Sequence, residues 1–241
     1  MPLGHGSYGM VFKACKNGRF YALKTFLGEE HAANAEMQRR LFRHEAELLT
    51  RIDHPRIPKC REIFTHAHHE YMVQEYIKGE PLSSLLLRGY VFSEQEIIRL
   101  LIQLLEILCS LHDQRIVHRD LRLGNLLLSD GQLYLIDFGL ARKFPLHCAD
   151  VLPEPIPRTA SPAYLALRRE ISPVSDIFGT ALVAIDLMGN WFGEEPPDTL
   201  REYPVSTEFR AFLRKLLKPD HGFSTAAAAL EYLRNLSALE Y

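Results

Sequence analysis

Cysteine is scarce in this sequence. Its four residues include no C-x-x-C pair and form no evident disulfide ladder, which excludes a disulfide-rich secreted scaffold and favours a reducing cytosol. An excess of one sign of charge is also lacking, because 28 basic and 30 acidic residues leave a formal net charge of −2. A nearly balanced chain gives no electrostatic indication of a nucleic-acid or membrane-surface partner. We therefore expect a cytoplasmic protein that binds neither.

Long hydrophobic runs are absent as well. The most apolar stretch, residues 97–111, is interrupted by Arg99, Gln103 and Glu106, so it predicts a core helix rather than a membrane span. No signal peptide, internal repeat or low-complexity tail is evident. A chain of 241 residues is long enough to bury a sizeable core.

The most informative stretch is residues 118–139, HRDLRLGNLLLSDGQLYLIDFG. Three polar residues, Asp120, Asn125 and Asp137, lie in or beside runs of apolar residues. Residues 132–136 read as a buried strand, and a carboxylate after such a strand is costly unless it binds a cation. Asp137 is therefore a candidate site residue on chemical grounds alone.

This stretch resembles the catalytic and metal-binding loops of eukaryotic-like protein kinases, through H-R-D-L-x-x-x-N and D-F-G. The resemblance implies that Asp120 is the catalytic base and that Asn125 and Asp137 hold magnesium. Mg²⁺ prefers oxygen ligands, and phosphoryl transfer depends mainly on positioning and charge neutralisation. A capping Asp and a turn Asn are the structural alternative for Asp120 or Asn125 taken singly. The spacing of all three residues argues against it.

A glycine-rich segment near the start of the chain matches G-x-G-x-x-G-x-V. The match consists of Gly4, Gly6, Gly9 and Val11. Strands predicted over 11–15 and 19–25, joined through Asn17 and Gly18, place it beside a hairpin. The resemblance implies that its backbone binds nucleotide phosphates. Since only three residues precede Gly4, we expect the strand that leads into this loop to be nearly absent, either cropped or leaving the loop less firmly anchored.

Lys24 ends the segment FYALK, which resembles the V-A-I-K strand of the family. The resemblance implies that Lys24 pairs with the α- and β-phosphates, although a surface lysine at a strand end is the structural alternative. A helix predicted over 29–51 carries Glu45 in a stretch that resembles the family's F-x-x-E-x-x-x-L pattern, and the resemblance implies that Glu45 pairs with Lys24. Glu47 lies about 200° around the helix from Glu45 and is expected to face solvent.

Residues 71–77 predict a strand that leads into a linker. In the family this linker binds adenine through backbone atoms, which implies contacts by Glu75 and Ile77 and a gatekeeper at Gln74. The remaining residues that the resemblance implies for nucleotide binding are Val11, Ala22 and Leu127. The resemblance puts the ribose-binding position near Pro81, which cannot donate a side-chain hydrogen bond, so we assign no ribose contact.

Three histidines occur within residues 65–69. A metal site is conceivable there, but the segment falls between two predicted strands and favours a polar hairpin. Farther along, Ser93 and Glu96 predict a capping box before a helix through His112. Asp176 matches the residue that ties down the catalytic loop in the family, at the start of a buried helix expected to reach about Met188. Two closing helices are predicted over 209–217 and 226–236.

The segment after Gly139 contains no Ser, Thr or Tyr before Thr159. In the family, an arginine at the position of Arg119 usually implies control by phosphorylation of this segment. We therefore hypothesise that the segment is ordered without phosphate, with Asp150 or Glu154 approaching Arg119.

The following residues, 161–166, resemble the family's T-P-E-Y-L-A substrate segment. Leu167 and Arg168 then replace a Pro-Glu pair. Phe223 occupies the position of the arginine that pairs with this glutamate in the family. Loss of both halves of a buried ion pair can be nearly neutral for stability. The segment that binds the peptide substrate in the family nevertheless differs here from the family pattern.

The resemblance implies an α+β, two-lobed fold in one protein kinase domain spanning 1–241. Residues 1–77 would form a small antiparallel sheet lobe with one main helix, and residues 78–241 a larger, mainly helical lobe. The implied function is transfer of phosphate from ATP, with Mg²⁺, to a serine or threonine of a protein substrate. Arg122 joins the catalytic set, although it stands where Ser/Thr kinases usually carry lysine. The alternatives are a pseudokinase that acts as a binding module and a small-molecule kinase.

Overall fold

A computed structural model describes residues 1–6, 9–26, 35–144, 171–189, 200, 203–218 and 222–238. An antiparallel sheet and one helix form a small lobe, and a mainly helical lobe follows it. This is the two-lobed α+β fold that the sequence predicted.

The small lobe is built on a five-stranded antiparallel sheet. Its strands are β1 (Pro2–Gly6), β2 (Gly9–Lys16), β3 (Arg19–Thr25), β4 (Cys60–His66) and β5 (His69–Glu75), in the order β1-β2-β3-β5-β4. Asn17 and Gly18, with φ of 53° and 75°, form the predicted tight turn between β2 and β3. The histidine-containing segment is the β4–β5 hairpin, with Ala67 and His68 at its turn, as predicted.

The expectation of a nearly absent first strand was wrong. Strand β1 pairs with β2 in an antiparallel register that includes Gly4 opposite Val11 and Gly6 opposite Gly9. The backbone N–H of Lys13 also donates to the carbonyl of Met1 at 2.8 Å. Gly4 and Gly6 are themselves part of β1 and lengthen it, because the hydrogen bonds between strands require only backbone peptide groups.

Helix α1 (Ala35–Arg51) lies beside this sheet. The predicted helix began at residue 29, and residues 29–34 lie outside the described residues. The helical period places Glu45 in the core and Glu47 in solvent, as expected. Leu41, Phe42 and Leu49 on the buried face join the hydrophobic core.

The larger lobe contains the remaining elements. In chain order these are β6 (Glu80–Pro81), α2 (Leu82–Leu87), α3 (Glu94–Asp113), β7 (Ile116–Val117), a 3₁₀ turn (Leu123–Asn125), β8 (Leu126–Ser129), β9 (Gln132–Leu135), β10 (Arg142–Lys143), α4 (Pro173–Leu187), α5 (Thr207–Leu216) and α6 (Ala226–Ala238). Helix α3 begins at the predicted capping box, in which Ser93 and Glu96 exchange hydrogen bonds. It packs against α4 and α6 and leads the chain to the loop that carries Asp120.

Phe223 lies in an aromatic cluster with Phe212 and Tyr232, at centroid distances of 5.7 and 5.5 Å. The ammonium group of Lys215 lies 4.4 Å from the centroid of Tyr232. The position that carries an arginine in the family is therefore filled here by apolar packing. Residues 167–168, like Asp150, Glu154 and the rest of segment 145–170, lie outside the described residues.

Among the described helices, none combines the length and apolar character that crossing a membrane requires.

Candidate active site

A cavity of about 570 Å³ opens beside the sheet and the loops that follow α3. Most of the residues predicted for nucleotide or metal binding line it, namely Gly4, Val11, Ala22, Lys24, Glu45, Glu75, Ile77, Arg122, Asn125, Leu127 and Asp137. Gly6 and Gly9 pair with each other where β1 meets β2. A larger depression of about 1350 Å³ covers the β2–β3 hairpin, but its described lining includes none of the catalytic candidates. The chemistry therefore points to the smaller cavity.

Lys24 lies at the centre of two ion pairs inside this cavity. Its Nζ is 2.7 and 2.8 Å from the two carboxylate oxygens of Glu45 and 3.0 Å from Oδ1 of Asp137. Burial alone would lower the pKa of Lys24, but the attraction of the two carboxylates outweighs it and raises this pKa. Burial has the opposite effect on a carboxyl and tends to raise the pKa of Asp137, but the charge of Lys24 holds this pKa below its usual value. Lys24 and Asp137 are therefore both charged at neutral pH.

Asp137 is held in an unusual backbone conformation, with φ of 62°. A non-glycine residue in this left-handed region carries strain, which its surroundings must offset. The next residue, Phe138, is fully buried and contacts the ring of His118 edge-to-face, with centroids 4.8 Å apart. His118 Nε2 also lies 3.2 Å from the carbonyl of Ile136. These contacts fix the turn that aims Asp137 at Lys24.

Asp120 and Asn125 form a second unit on the loop after β7. The side-chain Nδ2 of Asn125 donates to both the backbone oxygen and Oδ2 of Asp120, at 2.8 Å each. Nε of Arg122 lies 3.5 Å from the same carboxylate oxygen, and the Arg122 side chain is about half exposed. Asp120 is thus a carboxylate fixed by an amide and flanked by a cation.

Asp176, at the start of α4, holds the backbone of this loop through hydrogen bonds. Its two carboxylate oxygens accept hydrogen bonds from the backbone N–H groups of His118 and Arg119, at 2.8 and 2.7 Å. His112 Nε2 lies 3.0 Å from Oδ2 of Asp176. Arg119 has a positive φ of 65°, so the paired N–H groups hold a strained turn. Asp176 thus contacts the loop that its sequence position predicted.

The linker after β5 forms the opposite wall. The Glu75 side chain points to Lys59 and Arg61, accepting from the backbone N–H of Lys59 at 3.1 Å and from Arg61 Nη2. Glu75 therefore offers its backbone, rather than its carboxylate, to the cavity. A Cβ on Gly79 would come within 3.0 Å of the Leu128 carbonyl, so glycine allows the linker to lie directly on β8.

The donor atoms present suit a hard divalent cation. Asp137 supplies carboxylate oxygens, and Asn125 uses its amide nitrogen on Asp120, which leaves its amide oxygen as a ligand. Both residues line the same cavity as the Lys24 amine. Oxygen ligands of this kind fit Mg²⁺.

Asp186, near the end of α4, also lines this cavity and was not foreseen. Within the described part of the chain, no hydrogen bond or ion pair to its carboxylate is found, and burial raises its pKa to about 6. The available signal was a carboxylate within the apolar run 181–187 of α4, comparable to the carboxylate that follows an apolar run at Asp137.

The fold and the cleft define a class: a two-lobed domain in which a lysine from the sheet faces the acidic and amide groups of two helical-lobe loops. The family described as the protein kinase domain matches residues 1–222 of the chain. The chain belongs to this family.

Relatives of the chain include proteins named as serine/threonine kinases. One is the probable serine/threonine-protein kinase YbdM of Bacillus subtilis, 39% identical over 145 residues, covering 58% of this chain and 56% of the relative. The serine/threonine-protein kinase cds1 of Schizosaccharomyces pombe is 34% identical over 145 residues, covering 58% and 32%. The serine/threonine-protein kinase B of Synechocystis is 27% identical over 267 residues, covering 96% and 45%. The chain thus spans between about a third and just over half of their length.

Proposed function

We propose that this domain transfers the terminal phosphoryl group of ATP, with Mg²⁺, to a serine or threonine hydroxyl of a protein substrate. The observation that carries the proposal is the convergence, in one cleft, of the Lys24–Glu45 pair with Asp137 and with the Asp120–Asn125 unit. The names of the relatives support serine and threonine as acceptors.

Lys24 binds phosphate oxygens in this proposal. Its raised pKa keeps the ammonium charged throughout the physiological range, and Glu45 holds it in one direction. An ammonium already oriented before the nucleotide arrives loses little entropy on binding. Glu45 therefore contributes through Lys24 rather than by touching the nucleotide.

Asn125 and Asp137 hold the metal through their oxygens. Bound Mg²⁺ would neutralise charge on the transferring phosphoryl group. Because Asn125 also holds Asp120, the same residue sets the position of the metal relative to the acceptor hydroxyl. Asp137 meanwhile remains ionised because Lys24 lowers its pKa.

Asp120 orients the acceptor hydroxyl and accepts its proton. Asn125 donates to Oδ2 of this carboxylate, and Nε of Arg122 lies 3.5 Å from the same oxygen. Arg122 contributes positive charge beside the reacting groups, which stabilises negative charge that develops on the transferred group.

A pseudokinase remains the alternative function for this chain. Loss of the first strand would favour it, but β1 is present and paired. The full set of polar groups in the cleft also argues for catalysis.

The decisive assay is incubation of the whole chain with γ-labelled ATP and Mg²⁺ in the presence of a peptide mixture. We expect label on peptide serine or threonine with the wild type and with the control Glu47→Gln, an exposed site on α1. Asp120→Asn and Lys24→Met should each lower the rate by at least about 100-fold. Nucleotide binding without transfer in the wild type would favour the pseudokinase, and label on a metabolite panel instead of peptides would favour a small-molecule kinase.

A further inference from the structure

Glu70, on β5, is a buried carboxylate that two arginines of α1 approach. Its exposed fraction is 6%. Arg43 donates from Nε to Oε2 at 3.1 Å and from Nη2 to Oε1, and Arg39 Nε lies 3.7 Å from Oε1. The hydrogen bonds to Glu70 raise the pKa of Arg43. A two-point pairing of guanidinium with carboxylate fixes orientation as well as distance.

The same group of residues is tied to strand β3. The backbone N–H of Phe26 donates to the carbonyl of Glu70 at 2.9 Å. The Arg39 guanidinium lies 5.8 Å from the centroid of the Phe26 ring. Phe26 is two residues beyond Lys24 on the same segment. We call Phe26, Arg39, Arg43 and Glu70 the α1 anchor.

The α1 anchor and the Lys24–Glu45 pair hold different sides of one helix. Arg43 and Glu45 are about 200° apart around the axis of α1. Core packing of Leu41, Phe42 and Leu49 already restricts the rotation of α1, and two polar contacts on opposite sides restrict it further than one ion pair would. Both contacts come from neighbouring strands, since Met72, two residues after Glu70, pairs with Lys24.

We propose that Glu70 is a positioning residue that, through Arg39 and Arg43, fixes the rotation of α1 and so keeps Glu45 on Lys24. The catalytic consequence rests on the proposed function, because Lys24 is its phosphate-binding group. The structural claim does not, since the contact between Glu45 and Lys24 can be measured without nucleotide.

The test uses the rate at which a small acylating reagent labels Lys24 in the nucleotide-free protein, measured by mass spectrometry. We expect Lys24 to react slowly in the wild type, because its side chain is 4% exposed and paired with Glu45. Arg43→Lys keeps the charge and removes the two-point pairing. We expect it to speed labelling about five- to tenfold. The matched control is Arg40→Lys, the same substitution at an exposed position of the same helix, which should leave the rate unchanged.

A double-mutant cycle separates positioning from general stability. In a Glu45→Gln background labelling should already be fast, and Arg43→Lys should add less than about twofold. Unfolding midpoints are recorded for every variant. An equal acceleration in both backgrounds, or a lower midpoint with no change in labelling, would overturn the proposal. Glu70→Gln supplies a second variant, and Arg43→Lys, the milder change, still decides the question if Glu70→Gln fails to fold.

Affinity for a fluorescent ATP analogue with Mg²⁺ then links positioning to function. Arg43→Lys should weaken it about fivefold when Glu45 is present and by less than about twofold in Glu45→Gln. If the labelling cycle shows the coupling but the wild type phosphorylates no substrate, positioning stands and the proposed function fails. If the wild type is active and the cycle shows no coupling, positioning alone fails.

Discussion

The amide nitrogen of Asn125 lies 2.8 Å from both the backbone oxygen and the carboxylate of Asp120, so one side chain fixes the main chain and the functional group of the proposed base. Its remaining oxygen is the ligand assigned to the metal. In the proposed function, the positions of the metal and of the base are therefore linked through a single residue.

Asn125→Ala removes both contacts at once. We expect kcat to fall at least about 100-fold, together with a higher Mg²⁺ concentration for half-maximal activity, because a metal ligand and the support of a general base are lost together. Initial rates over a Mg²⁺ titration measure both effects. Gln132→Ala, at an exposed position on the neighbouring β9, serves as the control. A fall in kcat with an unchanged Mg²⁺ dependence would contradict the assignment of Asn125 as a metal ligand.

Asp176→Ala tests the support beneath the catalytic loop. The substitution leaves the N–H groups of His118 and Arg119 buried without acceptors, and we expect it to cost about 3 kcal/mol or more of unfolding free energy. Urea denaturation at pH 7 measures this cost. Asp176→Asn, which retains one acceptor oxygen, should be milder.

Asp176 also predicts part of the acid sensitivity of the fold. Burial tends to raise the pKa of this carboxyl, but the hydrogen bond from His112 and its other donors outweigh burial and lower it. A carboxyl with a lower pKa in the folded than in the unfolded protein stabilises the fold above the unfolded pKa, and this contribution is lost as pH falls through the folded value. The unfolding free energy of the wild type should therefore fall below about pH 4, and more steeply than that of Asp176→Asn. Equal acid slopes would argue against the charged form of Asp176.

Asp186 predicts the opposite dependence on pH. Burial raises its pKa to about 6 in the folded protein, so the native carboxyl binds a proton more readily than the unfolded one. The unfolding free energy should therefore rise as pH is lowered from about 6 towards 4. Asp186→Asn should abolish this rise and be on the order of 1–2 kcal/mol more stable than the wild type at pH 7.5, allowing for partial exposure.

Thermal unfolding across this pH range measures the effect of Asp186. Asp113→Asn, the same substitution at an exposed position of α3, is the control. The same pH dependence of the midpoint in the wild type and in Asp186→Asn would show that the Asp186 carboxyl is solvated like that of an unfolded chain.

Much of the cleft was predictable because local sequence positions its residues. Asp120 and Asn125 are five residues apart on one loop. Asp137 follows shortly after β9, which pairs with β8 in a hairpin. Likewise, the helical period alone separates the buried Glu45 from the exposed Glu47.

What could not be predicted depends on distant partners. Strand β1 lacks the alternation of apolar side chains that marks a strand, and it forms because β2 offers a ladder to its glycines. Glu70 resembles any polar residue in a hairpin strand until α1 brings two arginines to it. Asp186 becomes part of the cleft only when α4 lies beneath the catalytic loop. In all three cases a tertiary neighbour decides the environment of the residue.

Gly222 gives a stringent test of the packing around Phe223, which replaces the family's arginine. A Cβ placed on Gly222 would lie 1.9 Å from the carbonyl oxygen of Lys215 and 2.4 Å from that of Lys218. Both obstacles are backbone atoms near the end of α5, so relief requires the chain to move rather than a side chain to rotate. We therefore expect Gly222→Ala to lower the unfolding free energy by about 2–4 kcal/mol.

Chemical denaturation of Gly222→Ala, compared with Gly124→Ala, measures this cost. Gly124 has room for a Cβ, whose nearest neighbour would be the Ser83 hydroxyl at 4.0 Å, so its substitution should change stability by less than about 1 kcal/mol. Because Phe223 follows Gly222 directly, the displaced backbone should also disturb the aromatic cluster and reduce the near-ultraviolet circular dichroism of the native protein. Equal stability of the two variants would mean that the turn after α5 adjusts freely, and the cluster would then owe nothing to the close approach of Gly222.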